Sequence, residues 1–435
     1  MHVPDHDTLL TEGVIAKFLR YVQIDSPSDE DSTQVPSTPE QWEIARLLEA
    51  ELLSLGLRDA RVDAHAIVTA TLPGNVPDAP AVGLLAHFDT FPGTPGRGVK
   101  PLIHQGYSGG TIALPSGATL STVSHPELVH CLGHDVITSD GTTLLGADDK
   151  AGIAEIMETL CRLLRDPGLK HGPVRVAFTP DEEIGKGVDH FDVPAFGAVA
   201  AYTFDGGAQG EVETENFNAT NLRVTLTGRS AHTGYAKGAM VNALHLAGEL
   251  MAAIPATMRP ETTQDFEGFL HVDEIAGNVE SVTLKMLLRD FTEAGLAHKR
   301  AMLEGILAGL QLRHAGCQTK IEVTGGYRNM KVEVDRDPRV MGLALKAVRD
   351  SGVAPVQRPI RGGTDGARLS FLGLPTPNLF TGGVNHHSRT EWASVQWMEK
   401  AVEVGVRLAQ LWAGESRSAA TGPRKDTGSF PIASA

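Results

Sequence analysis

The chain has 435 residues, 41% of them hydrophobic and 47 of them glycine, which suits a globular, turn-rich α/β protein of two or more domains. Its formal net charge of -15 argues against a nucleic-acid binder, which needs a basic face, and no apolar run approaches membrane-spanning length. Three widely spaced cysteines, Cys131, Cys161 and Cys317, allow neither a disulfide framework nor a Cys-x-x-Cys zinc site.

The opening residues, MHVPDHDTLL, carry no basic segment ahead of a long apolar one, so no secretion signal and a cytoplasmic location are expected. Leu10, Val14, Phe18 and Val22 share one stripe and predict a helix over about 7–23. A second helix is expected from Thr38, with Pro39 at its first position and Gln41 completing a capping-box pattern, ending at Gly56. Residues 66–72 and 81–87 read as strands joined by a Pro-Gly-Asn turn. The stretch 92–126, rich in Gly, Pro, Ser and Thr, reads as a long surface excursion with a hairpin. A helix follows Gly152 and stops near Pro167, and 174–179 and 198–204 are strands.

From about Phe217 the order becomes strand 221–228, helix 240–253, strands 270–275 and 281–289, helix 297–314 and strand 319–324. This is the β-α-β-β-α-β order of a ferredoxin-like unit. The α/β pattern then resumes with a helix over 338–351, a turn at Gly362 and Gly363, a strand over 378–381 and a helix over 394–412. The expected organisation is a discontinuous α/β domain, 1–216 with 328–414, an inserted domain, 217–327, and an unstructured tail, 415–435.

Five places put a histidine or an acid at the end of a predicted apolar strand. In an extended strand His87 and Asp89 share a face, so the acid can hold one ring nitrogen and aim the other at a metal. Asp148 and Asp149 sit at a helix N-terminus; the helix end explains one carboxylate, and an inward Asp148 must be paired or must bind a metal. Asp181, Glu182 and Glu183 follow a buried strand, Asp205 ends another, and His386 and His387 lie in a glycine-rich loop. Singly, each reads as an ordinary cap, turn or solvated loop. Together they fit the carboxyl ends of an open α/β sheet, where ligands bind. Imidazoles with carboxylates and no sulfur suit zinc, or manganese or cobalt. Two imidazoles cannot fill two ions alone, so a bridging carboxylate is economical, with ions about 3.5–4 Å apart.

The phrases AHFDT (86–90), TTLLGADDKAG (142–152), FTPDEEIGKG (178–187), FDGG at Asp205, AKGAMVNAL (236–244), PIRGGTDGARLSFLGLPTPNLFTGG (359–383) and the adjoining NHH resemble the two-zinc exopeptidases. The resemblance covers nearly the whole chain to about Gly414, and RGGTDGA and NLFTGG point to the tripeptide-aminopeptidase branch. It implies an α/β catalytic domain with a mostly parallel central sheet between helices, plus the inserted ferredoxin-like α+β domain as lid and homodimer surface. It implies release of the N-terminal residue from short peptides, with the related carboxypeptidase, dipeptidase and N-acyl amino-acid deacylase activities as alternatives. A non-catalytic binding protein on the same fold is disfavoured by the complete ligand set.

By resemblance, His87 and Asp205 bind one zinc, Glu183 and His387 the other, and Asp148 bridges them. Glu182 is then the general base and Asp89 orients His87; His232 helps hold the substrate carbonyl, and Arg289 and Arg361 are candidates for its carboxylate. Two departures stand out. His386 occupies the place of the family's usual tyrosine; His387 is taken as the ligand because Glu391 then falls four residues later. Ser388, Arg389 and Thr390 stand where the family usually has Gly-Lys-His.

Overall fold

The computed structural model describes residues 3–415, so the tail beyond Glu415 lies outside the described residues. The chain opens with two helices where the apolar stripe predicts one: α1 (His6–Thr11) and α2 (Val14–Tyr21). Gly13 interrupts the stripe with extended backbone and becomes the N-cap of α2. Helix α3 (Gln41–Ser54) starts after Glu40 without a side-chain cap, and the expected capping box does not form. Thr38 Oγ1 instead donates to the Pro27 carbonyl at 2.5 Å, and the Gln41 amide donates to Asp181 at 2.6 Å. Long-range partners outbid the local pattern.

Strands β1 (Arg61–Val62), β2 (Val68–Leu72) and β3 (Val82–His87) follow. The excursion carries β4 (Leu102–His104) and a hairpin of β5 (Ile112–Ala113) with β6 (Thr119–Leu120). It has a core of its own, in which Tyr107, Ile112, Leu120 and Leu128 pack with Trp392 and Trp397. Next come β7 (Val136–Thr138), α4 (Ala147–Arg165), β8 (Val174–Thr179), α5 (Val193–Phe196), β9 (Ala200–Gly206) and β10 (Glu211–Asn216). The chain continues through β11 (Asn218–Thr227), α6 (Ala243–Ala253), β12 (Phe269–Gly277), β13 (Ser281–Asp290), α7 (Glu293–Arg313) and β14 (Gln318–Tyr327). It ends with α8 (Lys331–Val334), α9 (Pro338–Asp350), β15 (Val356–Ile360), α10 (Asp365–Phe371), β16 (Asn378–Phe380), β17 (Gly383–Val384), β18 (Trp392–Ser394) and α11 (Val395–Ala413). No helix among the described residues is long and apolar enough to cross a membrane.

Two compact units result. Among the described residues, one joins 3–214 with Met330–Arg358 and 364–415; the other takes Glu215–Asn329 and Pro359–Gly363. In the first unit the main sheet runs β1-β2-β8-β3-β9-β16-β10-β15. Its centre, β8-β3-β9-β16, is parallel, while β2 and β10 pair antiparallel on either side. Strands β2 and β3 are therefore not a hairpin: β8 lies between them.

Strand alternation sends side chains to two helical layers. Leu85, Ala177 and Ala201 pack with Phe196 of α5 and Leu369 of α10. On the other face the Tyr202 hydroxyl donates to the Val340 carbonyl and accepts from Trp412 Nε1, tying β9 to α9 and α11. A small sheet, β17-β18-β7-β4, stands beside this sandwich. The second unit is an antiparallel sheet ordered β12-β13-β11-β14, with the Leu246, Leu303 and Leu307 side chains of α6 and α7 packed on Leu222, Val224 and Leu284.

Helix α4 approaches β9 closely at Gly152. An added Cβ would lie 1.9 Å from the Phe204 carbonyl oxygen and 2.6 Å from Asp149 Oδ1. Gly152→Ala is expected to lower stability by about 1–3 kcal/mol, the usual cost of overpacking. Urea unfolding measures it, and an unchanged midpoint would mean that this contact does not set the position of α4.

Candidate metal centre

Three of the five motifs end adjacent parallel strands. His87 closes β3, Pro180 to Glu183 follow β8, and Asp205 lies in the last turn of chain of β9. Parallel neighbours present their carboxyl ends side by side, so these residues converge without any special loop. The other two do not follow strands of the main sheet. Asp148 opens α4 out of a loop, and His387 follows β17 of the small sheet.

Glu391 joins those two loops. Its Oε2 accepts from Leu145 N and Gly146 N, both at 2.8 Å, and its Oε1 accepts from Asp148 N at 3.0 Å. Gly146 takes the left-handed conformation at φ 81°, and regular helix begins only after Asp149. The peptide bond between Asp148 and Asp149 is cis.

The carboxylate of Asp148 is the centre of the cluster. Its Oδ1 lies 2.9 Å from His87 Nε2, and its Oδ2 lies 3.1 Å from His387 Nε2 and 3.4 Å from His386 Nδ1. His87 Nε2 is also 3.6 Å from Asp205 Oδ1, and His387 Nε2 is 2.9 Å from Glu183 Oε2. One ligand atom each from His87, Asp148 and Glu183 lies within 4.8 Å of the others, and so do those of His87, Asp149 and Asp205.

Asp89 ties the first histidine to the acidic turn. Its Oδ1 is 3.3 Å from His87 Nδ1, whose nearer neighbour is the Asp89 carbonyl at 3.1 Å. The same carboxylate accepts from Glu182 N at 2.9 Å and Glu183 N at 3.2 Å. The three consecutive acids thus have three fates. Asp181, left-handed at φ 50°, turns away and accepts from Ser37 N at 2.7 Å and from Gln41. Glu182 lines a recess with His87, Thr203, Asp205 and Asp365. Glu183 meets His387.

His232, Arg289 and Arg361 lie in the second unit, and their partners are there too. His232 is exposed and caps a short turn by accepting from Gly234 N at 3.2 Å. Arg289 donates to Asn221 Oδ1 at 2.9 Å and lies over the Tyr327 ring. Arg361 donates to the carbonyls of Asp265 and Glu267 at 2.9 and 2.8 Å and stacks over Phe217.

Sequence reasoning did not single out His386, Asp149 or Asp365 as site residues. Asp149 does what a helix-end acid does, accepting from Gly152 N at 3.2 Å, but its Oδ2 also accepts from His87 N at 3.2 Å. Asp365 accepts from Thr179 Oγ1 at 2.8 Å beneath Glu182. Asp365 follows Thr364, the N-cap of α10, and only the packing against β8 reveals its partner Thr179. The two adjacent histidines were the only signal for His386.

The donor set fits divalent cations. Burial would raise the Asp148 carboxyl, yet His386, His387 and His87 hold it well below the usual carboxylate range. Burial pushes Asp205, and burial with Asp205 pushes Glu182, upward. Glu183 keeps its Oε1 buried without a donor. Neutral imidazoles and ionised carboxylates are the usual ligands of zinc, manganese and cobalt.

Protonation then gives a prediction. Burial works against a charged His387, but Asp148 and Glu183 raise it to about 10; burial, then Asp148, raises Glu183 to about 7. With His387 and Glu183 as ligands, an ion would take only the neutral imidazole and the ionised carboxylate, so loading would expel these protons. Zinc affinity should rise by about tenfold per pH unit through His387, and more steeply below Glu183's titration. Calorimetry in buffers of different ionisation enthalpy reads the released protons; a pH-independent affinity would contradict this.

The profile of peptidase family M20/M25/M40 matches residues 140–411. Peptidase T of Edwardsiella ictaluri is 48% identical over 413 residues, 94% of this chain and 99% of that one. Aminopeptidase PepT of Bacillus cereus superimposes with a TM-score of 0.72 at 24% identity, over 92% of this chain and 98% of that one. A dinuclear metal-binding M20 peptidase of Bacillus subtilis superimposes at 0.60, with 15% identity over 93% and 98% of the two chains. In sequence over nearly its whole length, and in its α/β architecture, the chain belongs to peptidase family M20/M25/M40, alongside the relatives called peptidase T.

Proposed function

We propose that the chain is a metal-dependent aminopeptidase that releases the N-terminal residue of short peptides, chiefly tripeptides. The observation that carries this reading is near-full-length identity of 48% to a peptidase T. The carboxylate–imidazole centre at the strand ends supports it chemically.

The proposed ligands are His87 and Asp205 for one ion, Glu183 and His387 for the other, and Asp148 between them. Zinc is the proposed metal, with manganese or cobalt as substitutes. Divalent ions held there supply a lowered water pKa and a Lewis acid for the scissile carbonyl. The protein's own groups do the rest. Asp89 fixes the His87 ring through Nδ1 and leaves Nε2 for the ion. Glu391 fixes the backbone that aims Asp148. Glu182 takes the proton of the attacking water onto its carboxylate and passes it to the leaving amine.

His232, Arg289 and Arg361 remain proposed substrate contacts on the strength of the family resemblance. A free Arg361 guanidinium would require release of the Asp265 and Glu267 carbonyls that it now holds. A homodimer through the second unit is part of the same proposal, since β12 and β14 are open sheet edges. A monomeric mass by light scattering would remove it. A cytoplasmic location belongs with this reading and is checked by cell fractionation.

The test uses free, N-acetylated and amidated forms of one tripeptide, with and without chelator and added zinc. The free tripeptide should be cleaved at its first bond and chelation should stop it. Preference for the acetylated form would instead indicate a deacylase. Two variants then separate the adjacent glutamates. Glu182→Gln should keep its metal while kcat falls by roughly 10²–10⁴-fold. Glu183→Gln should lose metal affinity first and regain part of its rate in excess zinc. Metal loss by the first and retention by the second would exchange the two roles.

A further inference from the structure

The loop that carries His387 takes an unusual backbone path. Asn385 and His387 both have positive φ, 61° and 60°, a region that residues other than glycine rarely adopt. Such a path persists only when surrounding contacts impose it. One set of contacts is plain: the His387 ring stacks on Phe91 at 4.2 Å, and its carbonyl accepts from Thr94 Oγ1 at 2.7 Å.

A second set leads to a distant part of the chain. The Asn385 amide nitrogen lies 2.7 Å from Ser388 Oγ and 2.8 Å from Thr390 Oγ1. Ser388 Oγ donates its one proton to the Asn385 carbonyl at 2.9 Å, so toward the amide it must accept. Thr390 Oγ1 accepts from the same amide and is left with a proton to give. Two acceptors lie at 3.3 Å, Ser388 Oγ and His125 Nε2; Ser388 Oγ already accepts from the Asn385 amide and from Thr390 N, which leaves His125 Nε2, itself 3.2 Å from Asn385 Nδ2, as the open one.

With the Thr390 hydroxyl donating to Nε2, the proton of the neutral ring sits on Nδ1, and Ser124 Oγ accepts it at 2.9 Å. The directions agree throughout: amide to hydroxyl, hydroxyl to imidazole, imidazole to hydroxyl. Only a neutral ring can end the chain this way. Burial holds His125 below the usual histidine range, with Glu127 opposing. His125 is 8% exposed and belongs to the excursion, 265 residues before Thr390.

We propose that His125 is a positioning residue for the metal centre: it clasps the 385–390 loop and so sets where the His387 imidazole stands against Asp148 and Glu183. The proposal rests on the reading of His387 as a ligand. It explains why a surface excursion keeps a polar ring buried at its base. It also gives the Ser388-Arg389-Thr390 sequence a task, since two of its hydroxyls carry the network.

The test measures zinc affinity by competition with a chromogenic chelator on the full-length protein. His125→Phe keeps a ring of similar size without the acceptor, and Thr390→Val removes one hydroxyl at nearly constant volume. Each should weaken one of two zinc ions by about 10–100-fold, the usual worth of a partner that orients a ligand. His125→Gln puts an amide oxygen near the place of Nε2 and should recover most of the affinity. Excess zinc should restore kcat in all three.

His387→Ala is the control for the ligand itself and should lose the same ion. If His387→Ala loses an ion while His125→Phe and Thr390→Val bind both as the wild type does, the clasp is refuted and the ligand stands. If His387→Ala keeps both ions, the ligand assignment falls and the clasp falls with it. Thr390→Val decides the matter even where His125→Phe fails to fold.

Discussion

A carboxylate taken out of water must be met by cations or donors, and Asp148 is met by imidazoles from two distant segments. His87 is carried by a strand whose place is fixed by eight-stranded pairing. His386 and His387 are carried by a loop, and Asp148 itself by the turn into α4. Three segments with no common secondary structure therefore have to agree to within a few tenths of an ångström. Glu391 supplies part of that agreement, because its one carboxylate holds three backbone N–H groups of the Asp148 turn. Asp89 supplies another part, linking His87 to the Glu182–Glu183 turn. Anionic and cationic groups at the centre are thus surrounded by charged groups whose task is geometry.

Much of the architecture was legible in the sequence because apolar runs mark buried parallel strands. Val174 to Thr179 and Val82 to His87 have almost no exposed position, and that continuity is visible letter by letter. The antiparallel unit was legible too, from strand alternation and the Gly277 and Asn278 turn between β12 and β13. Within the site, the pairing of His87 with Asp89 followed from two-residue spacing alone. The family resemblance proposes different roles for Glu182 and Glu183, which composition could not do.

What was not legible depended on partners far away in sequence. Thr38, Pro39 and Gln41 satisfy every local rule for a capping box, yet the side chains are drawn to Pro27 and Asp181 instead. Asp181 looked like one of three equivalent acids, and only its left-handed backbone sends it toward Ser37. The excursion looked like plain surface because its glycines and prolines outnumber its apolar residues. Its core is completed by Trp392 and Trp397, which lie more than two hundred residues on.

The discontinuity of the first unit has a consequence for synthesis. His87, Asp148, Glu182, Glu183 and Asp205 all precede the second unit, whereas His386, His387 and Glu391 follow it. A chain leaving the ribosome therefore holds the acids of the centre before most of their cationic neighbours exist. Among the described residues, Glu215–Asn329 makes up nearly all of the second unit, to which the later chain adds Pro359–Gly363. At that stage the centre is an acidic half-shell, and its completion waits on residues 386–391.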